Sequence, residues 1–372
     1  MSSELDRVRK TVEAIRPLDE GAQRRAQARI DILTMPRGAL GRLLPLAKQL
    51  AGIQGKERPS VSRKVILTVA ADHGVAAEGV SAFPQEVTAQ MVANFIGGGA
   101  GVNVLARQAN ARVVVADLGV AGPLPVPYAP DRLLDLRVGP GTKNMALGSA
   151  MSREEAVRAV ANGIRAAEAA LGGRDGCDCL GVGDMGIANT TAASAIFSVL
   201  TGRPPSEVTG RGTGVDDKAL AKKILVIGKA LALNRPDPKD PFDVLAKVGG
   251  FEIGGIAGAC LAGAASRVPV LVDGFIATAG AALAVGIAPQ VKPYLVASHR
   301  SAEPGHRLAL EHLGLVPLLD LDLRLGEGTG AALAMHLLEA ACRILTEMAT
   351  FGEAKVTDAA PGTLAEGFRP GG

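Results

Sequence analysis

Four glycine-flanked segments of the sequence carry residue types able to do chemistry. In GEGTGAALAMHLL (326–338), Glu327 stands between two glycines ahead of an apolar run. A carboxylate there either complements the dipole of the following helix or serves as a base at the mouth of a site. GRGTGVDDKALAKK (210–223) opens a helix with Asp216 and Asp217 in its first turn and Lys222 and Lys223 further along. Backbone N–H groups of Gly212–Gly214 plus a lysine would form a metal-free phosphate cradle. A capped helix with solvated lysines fits the spacing equally well. GDMGIANTTAAS (183–194) follows a strand, and Asn189, Thr190 and Thr191 either cap the next helix or meet a sugar or phosphate. GGGAGVNVLA (97–106) begins like GxGxxG, but Val104 holds the third glycine position and no strand directly precedes it, so these glycines read as packing.

Other groupings carry less. No GxxxxGK[ST] occurs, which excludes a P-loop. His299, Glu303, His306, Glu311 and His312 lie close together but match no HExxH-like zinc spacing, so they read as a substrate-lining loop rather than a metal site. Cys177 and Cys179 are too close for a CxxC knuckle and read as small buried residues.

Elements that position these residues follow from periodicity. Residues 1–55 read as helices, with Leu5, Val8, Val12 and Ile15 on one face and a second periodic segment from Leu40 to Ile53. Beyond Lys64, β-branched runs at 65–70, 112–118, 179–182, 268–273 and 294–298 alternate with Ala-rich helices at 152–171, 190–200, 217–233, 254–266, 275–286 and 330–348. That alternation predicts an α/β, doubly wound, mainly parallel sheet. Ligands of such sheets sit beyond the carboxyl ends of the strands. Asp72 and His73, Asp184, Asp273 and Ser298–Ser301 follow four of the predicted strands. The Pro- and Gly-rich segment near 121–142 reads as a surface excursion, and the tail from Ala359 to Gly372 as frayed. Val268 to Ala288 is apolar, yet it contains Asp273, Pro269 and three glycines, and so reads as a buried strand and helix rather than a membrane span.

Composition narrows the partners. Lys plus Arg exceed Asp plus Glu by only 40 − 37 = 3, and aromatic residues are 3% of the chain with no Trp, so polymeric nucleic acid has little to bind. Glycine, at 47 of 372 residues against a usual share of about 7%, hints at loops that approach a phosphate or nucleotide. MSSELDRVRK has no apolar leader, and four cysteines give no disulfide framework, so a cytoplasmic location is expected.

Taken together, ADHGVAAEGVSAFPQEVTAQMVANFIGGGAGVNVLA (71–106), GDMGIANTT (183–191), GRGTGVDD (210–217), GGFEIGGIAGA (249–259), VLVDGFI (270–276), SHRSAEPGH (298–306) and LRLGEGTGAALA (323–334) resemble one family. It is that of the nicotinate-nucleotide–dimethylbenzimidazole phosphoribosyltransferases, and the likeness runs from about Thr34 to about Lys355.

The resemblance implies transfer of phosphoribose from nicotinate mononucleotide to 5,6-dimethylbenzimidazole, giving α-ribazole 5′-phosphate and nicotinate with inversion at the anomeric carbon. It implies a Rossmann-like catalytic domain over 61–339 and a smaller helical domain from both chain ends, 1–60 with 340–372. It further implies a homodimer that uses neither metal nor cofactor and binds no membrane. By the motif match, Glu327 is the general base, Gln90, Met185 and Leu325 face the base substrate, and Gly186, Gly212 and Gly214 hold the phosphate with Lys223 and Ser301. Phe83 joins the flat apolar slot, while Thr213 and Asp273 complete the substrate-binding set. Two departures stand out: Asp184 where the family usually has Glu, one methylene shorter, and MPRGALG (35–41) where it has a KPPGSLG-like segment.

The chemistry fits the residues. Nicotinate leaves from a pyridinium nitrogen and needs no acid, while the benzimidazole must lose one ring proton, so a single carboxylate suffices. An apolar wall such as Leu325 would raise the pKa of that carboxylate. Competing readings are an NAD-dependent dehydrogenase, which lacks its GxGxxG after the first strand, a non-catalytic nucleotide-binding protein, which would not need Glu327, and the same transfer to another lower base.

Overall fold

The central strand, KVILTVAA, is buried at every residue. A strand covered on both faces reads as a continuous apolar run, as parallel sheets require. In the computed structural model, which describes residues 2–129, 131–173 and 176–358, this strand is β1 (Lys64–Ala71). The tail from Ala359 to Gly372, read above as frayed, lies outside the described residues.

Five further strands complete the main sheet: β2 (Ala111–Gly119), β3 (Leu133–Asp135), β4 (Cys179–Met185), β5 (Val270–Val272) and β6 (Leu295–Ala297). All pair in parallel, in the order β3-β2-β1-β4-β5-β6. Val65 faces Arg112 on one side and Leu180 on the other. The chain thus winds outward from β1 in both directions, and the loops after β1 and β4 diverge to opposite faces, leaving a crevice. A second, two-stranded parallel sheet joins β7 (His299–Arg300) to β8 (Leu319–Asp320). The sequence reading of an α/β, Rossmann-like, doubly wound sheet is what the structure shows.

Two segments differ from the sequence reading. Within 121–142, taken as a surface excursion, β3 forms the sheet edge, with Val115 N–H donating to Arg132 O at 2.8 Å. Its flanking Pro and Gly residues left only three residues of pattern. The segment 299–312, taken as a loop, contains the helix Pro304–Leu313, whose first turn begins with a proline, a favoured helix start.

The apolar stretch from Val268 becomes β5 and the buried helix Phe275–Ile287. Among the described residues, no helix is long and apolar enough to cross a membrane. Much of the glycine serves packing rather than ligand loops. A Cβ on Gly163, in the helix Arg153–Leu171, would lie 1.9 Å from Gly255 O in the helix Phe251–Ala265. One on Gly258 would lie 2.0 Å from Val160 O.

The chain forms two compact units, Met1–Arg16 with Arg63–Ala334 and Pro17–Ser62 with Met335–Gly372. The first helix, Ser2–Ala14, belongs with the larger unit, whereas the sequence reading grouped it with the small domain. There it packs on Arg153–Leu171 and forms ion pairs Arg7–Glu168 and Glu4–Arg165, both at 2.8 Å. In the smaller unit, Glu20–Ile30 packs on Leu43–Gln54, Asp19 caps the former by accepting from Ala22 N–H at 2.8 Å, and Leu33 bridges to Thr350.

Candidate active site

Loops beyond β1, β4, β5 and β6 converge on a cavity of about 290 Å³ in the larger unit. Phe83, Met185 and Leu325 give it an apolar side, and Leu325 is 61% exposed. Asp184, Gly186, Gly212, Thr213 and Ser301 line the rest of it, as the sequence reading expected.

Glu327 sits behind this lining, at the start of the helix Thr329–Glu347. Its φ of 64° is left-handed, between Gly326 at 82° and Gly328 at 103°. A non-glycine residue held there is a strained position that its surroundings must impose. Three contacts impose it. The Glu327 N–H donates to Asp184 O at 3.1 Å, its carbonyl accepts from Thr68 Oγ1 at 2.7 Å, and its Oε2 accepts from Val102 N–H at 3.0 Å. Val102 lies in the first turn of the helix Gly101–Gln108, whose free N–H end favours an anion. The GGGAG loop therefore does bind an anion at a helix end, and that anion is the protein's own carboxylate. A Cβ on Gly101 would crowd Leu325 and Glu327, and one on Gly183 would lie 2.2 Å from Gly328 N, so both glycines make room for this loop. Burial pushes the Glu327 carboxyl above its ordinary value, with the Val102 bond pulling the other way.

Asp273 does not line the cavity. One oxygen accepts from Gly328 N–H and the other from Ala331 N–H, each at 3.0 Å, so it staples the Glu327 loop to the start of its helix. Burial raises its carboxyl to about 7 against the pull of those bonds. Asp184 does line the cavity. Its Oδ2 accepts from Asn189 Nδ2 at 2.8 Å, while its buried Oδ1 has no protein partner. Burial, then the charges of Asp273 and Glu252, pushes it well above the usual carboxylate range. Both effects disfavour its charged form.

Lys223 does not line the cavity; it is fully buried, and its Nζ donates to Thr190 Oγ1 at 2.7 Å, Thr190 being a lining residue, and to Gly210 O at 3.4 Å. Burial lowers it to about 8, opposed by the nearby Glu303 charge. Of the two readings of GRGTGVDDKALAKK, the capped helix is present, with Asp216 accepting from Ala219 N–H at 2.8 Å at the start of Asp217–Asn234, but Lys223 is buried rather than solvated. The Gly212 N–H donates to Glu303 Oε1 at 2.9 Å, and the Gly214 N–H to Arg211 O at 3.0 Å. Ser301 donates its N–H to His306 Nδ1 at 2.7 Å.

Gln90 is exposed on the helix Val87–Gly97, and Gly214 is exposed too; neither lines the cavity. Asn189 and Thr190, read from the sequence as either caps or sugar or phosphate contacts, line it, as do His299 and Glu303 of the segment read as a substrate-lining loop, and so does Arg324, which the sequence reading did not name. Arg324 adjoins Leu325 in the LGEGTG segment and donates to Gly212 O at 3.3 Å, a pairing that spacing alone could not reveal. Among the described residues, no group of three His, Cys, Asp or Glu residues is placed to hold a metal ion. His73 of the DHGV motif instead pairs with Glu252 at 2.7 Å in the interior.

Comparison with known proteins follows this geometry. Residues 15–356 match the model of a phosphoribosyltransferase family. A nicotinate-nucleotide–dimethylbenzimidazole phosphoribosyltransferase of Roseiflexus sp. (strain RS-1) is 57% identical over 347 residues, 93% of this chain and 97% of its own length. One from Desulforudis audaxviator (strain MP104C) is 57% identical over 355 residues, 95% and 99% of the two chains. The crystal structure of the same-named enzyme from Thermus thermophilus superposes with a TM-score of 0.86 at 49% identity, covering 92% of this chain and 100% of its own. Likeness of sequence and of fold spans almost the whole chain, which therefore belongs to the nicotinate-nucleotide–dimethylbenzimidazole phosphoribosyltransferase family.

Proposed function

We propose that this protein transfers phosphoribose from nicotinate mononucleotide to 5,6-dimethylbenzimidazole, yielding α-ribazole 5′-phosphate and nicotinate in the assembly of the cobalamin nucleotide loop. The observation that carries this reading is Glu327, a buried carboxylate pinned by one oxygen at a helix end, beside a cavity lined by Phe83, Met185 and Leu325 and by Arg324.

The C1′–N bond to nicotinate breaks, and its electron pair stays on the pyridinium nitrogen, which becomes neutral. A benzimidazole ring nitrogen attacks C1′ from the opposite face, inverting it. The proton on the other ring nitrogen passes to Glu327, whose Oε2 remains held by Val102. Such a base contributes about 10²–10⁴-fold. Phe83, Met185 and Leu325, which line the cavity, lie against the flat base, and Gln90, outside that lining, is assigned to the base by the motif match alone. Gly186, Gly212, Thr213 and Ser301 of the lining receive the phosphate; Gly214 joins them only if its N–H leaves Arg211, and Lys223 acts through Thr190, whose Oγ1 it holds. The Asp184 carboxyl meets the ribose or an ordered water. Asp273 acts through the loop it staples. The protein works as a cytoplasmic homodimer.

Incubation with both substrates and a chelator, read by product mass, tests the reading. α-Ribazole phosphate from the wild type and almost none from Glu327→Gln is the expected result. Product only with adenine or another benzimidazole would keep the mechanism and move the base preference, which the exposed faces of Phe83 and Leu325 leave open. Absence of product with every base would sink the enzymatic reading.

A further inference from the structure

His299 is 1% exposed, yet it lines the cavity. Its tautomer follows from its neighbours. Ser298 Oγ donates its single proton to Asp273 O at 3.0 Å, so at 3.0 Å from His299 Nδ1 it can only accept. Asp273 Oδ1, 3.8 Å from the same nitrogen, favours a proton there as well. The proton therefore sits on Nδ1, and Nε2 carries a lone pair.

Space around the ring fixes its orientation. A Cβ on Gly330 would lie 1.9 Å from Nδ1, so helix backbone closes that edge. The Cε1–Nε2 edge faces Gly274, which also lines the cavity, and a Cβ there would remain 3.7 Å from Nε2. Among the described residues, Nε2 has no protein hydrogen-bond donor. His306, edge-on at 6.2 Å between ring centroids, directs its own Nε2 to Thr278 Oγ1. Burial keeps the imidazole neutral by lowering it to about 4.

An acceptor in that place selects for a donor. On the functional reading above, on which this inference rests, the phosphate and carboxylate of nicotinate mononucleotide are acceptors at neutral pH. The benzimidazole has one N–H, and Glu327 takes that proton. The remaining donors are the ribose hydroxyls. We propose that His299 is a substrate-binding residue whose Nε2 accepts a hydrogen bond from the 2′- or 3′-hydroxyl, making the enzyme selective for ribonucleotides over deoxyribonucleotides.

The test compares nicotinate mononucleotide with its 2′-deoxy and 3′-deoxy forms in the wild type, His299→Asn and His299→Phe. For the wild type, kcat/KM should fall by about tenfold or more with one deoxy form, the scale of a buried hydrogen bond left unmade. His299→Phe should lose a similar factor on the natural nucleotide and nothing further with that deoxy form. His299→Asn, which keeps an acceptor oxygen, should retain part of the discrimination. The inference is overturned by a wild type that uses both deoxy forms as well as the ribonucleotide. It is equally overturned by a penalty unchanged in His299→Phe, or by a KM increase confined to the benzimidazole. Should the Phe variant not fold, the wild type and Asn variant still decide. Wild-type turnover of the natural nucleotide is the control, and its failure would strike the reaction itself rather than His299.

Discussion

Glu327 combines three properties that a base needs: a left-handed backbone aiming it, an N–H holding one oxygen, and burial raising its basicity. Replacing it by Gln should lower kcat by about 10²–10⁴-fold with an unchanged melting temperature. The pH profile carries two signs. The base must be ionised, and its pKa lies above the ordinary 4.5, so kcat/KM should fall on an acidic limb above that value, absent from the Gln variant. Lys223 is charged below its value of about 8, so nucleotide binding should weaken as pH rises through that region. Lys223→Met should raise KM for the nucleotide and flatten this alkaline limb. At this scale the sequence revealed identities but not pairings. Glu327, Asp184 and Lys223 stand out by motif. The bond from Val102 to Glu327 joins residues 225 apart, and no spacing rule reaches across that distance. His299 was visible only as one of several histidines, because its tautomer depends on Ser298 and Asp273.

Elements meet here through missing side chains. Gly183 in β4 lets the Glu327 loop lie against the strand, and an added Cβ would stand 2.2 Å from Gly328 N. Gly183→Ala should push that loop outward and cost about 10²-fold in turnover, as misplacements near 1 Å do, while leaving the overall fold in place by circular dichroism. Gly163→Ala is the contrasting case. It forces apart two helices away from the cavity and should lower stability by about 1–3 kcal/mol in denaturant unfolding, with turnover of the folded fraction unchanged. The glycine count hinted at phosphate loops, and composition could not separate these from the packing glycines of Phe251–Ala265. The long Ala-rich helices were legible because they are long and regular. The edge strand β3 was not, since three residues among prolines and glycines carry no period.

Across the whole molecule, alternation of strands and helices was enough to read the parallel sheet, but not the grouping of the first helix. Periodicity shows that Ser2–Ala14 is amphipathic and is silent on which neighbour it covers. The homodimer rests on family likeness, and sedimentation velocity should show one species of twice the chain mass at micromolar concentration. Dissociation to the 37.9 kDa chain would remove that part of the proposal. One last consequence concerns the order in which the chain is made. The helix Gly101–Gln108 leaves the ribosome long before Glu327 does, so during synthesis the Val102 N–H waits for the carboxylate it will hold. That carboxylate, Glu327, comes 225 residues later. The base is therefore locked in place only after synthesis has passed Glu327, so a fragment stopping short of it keeps the helix end and lacks the base.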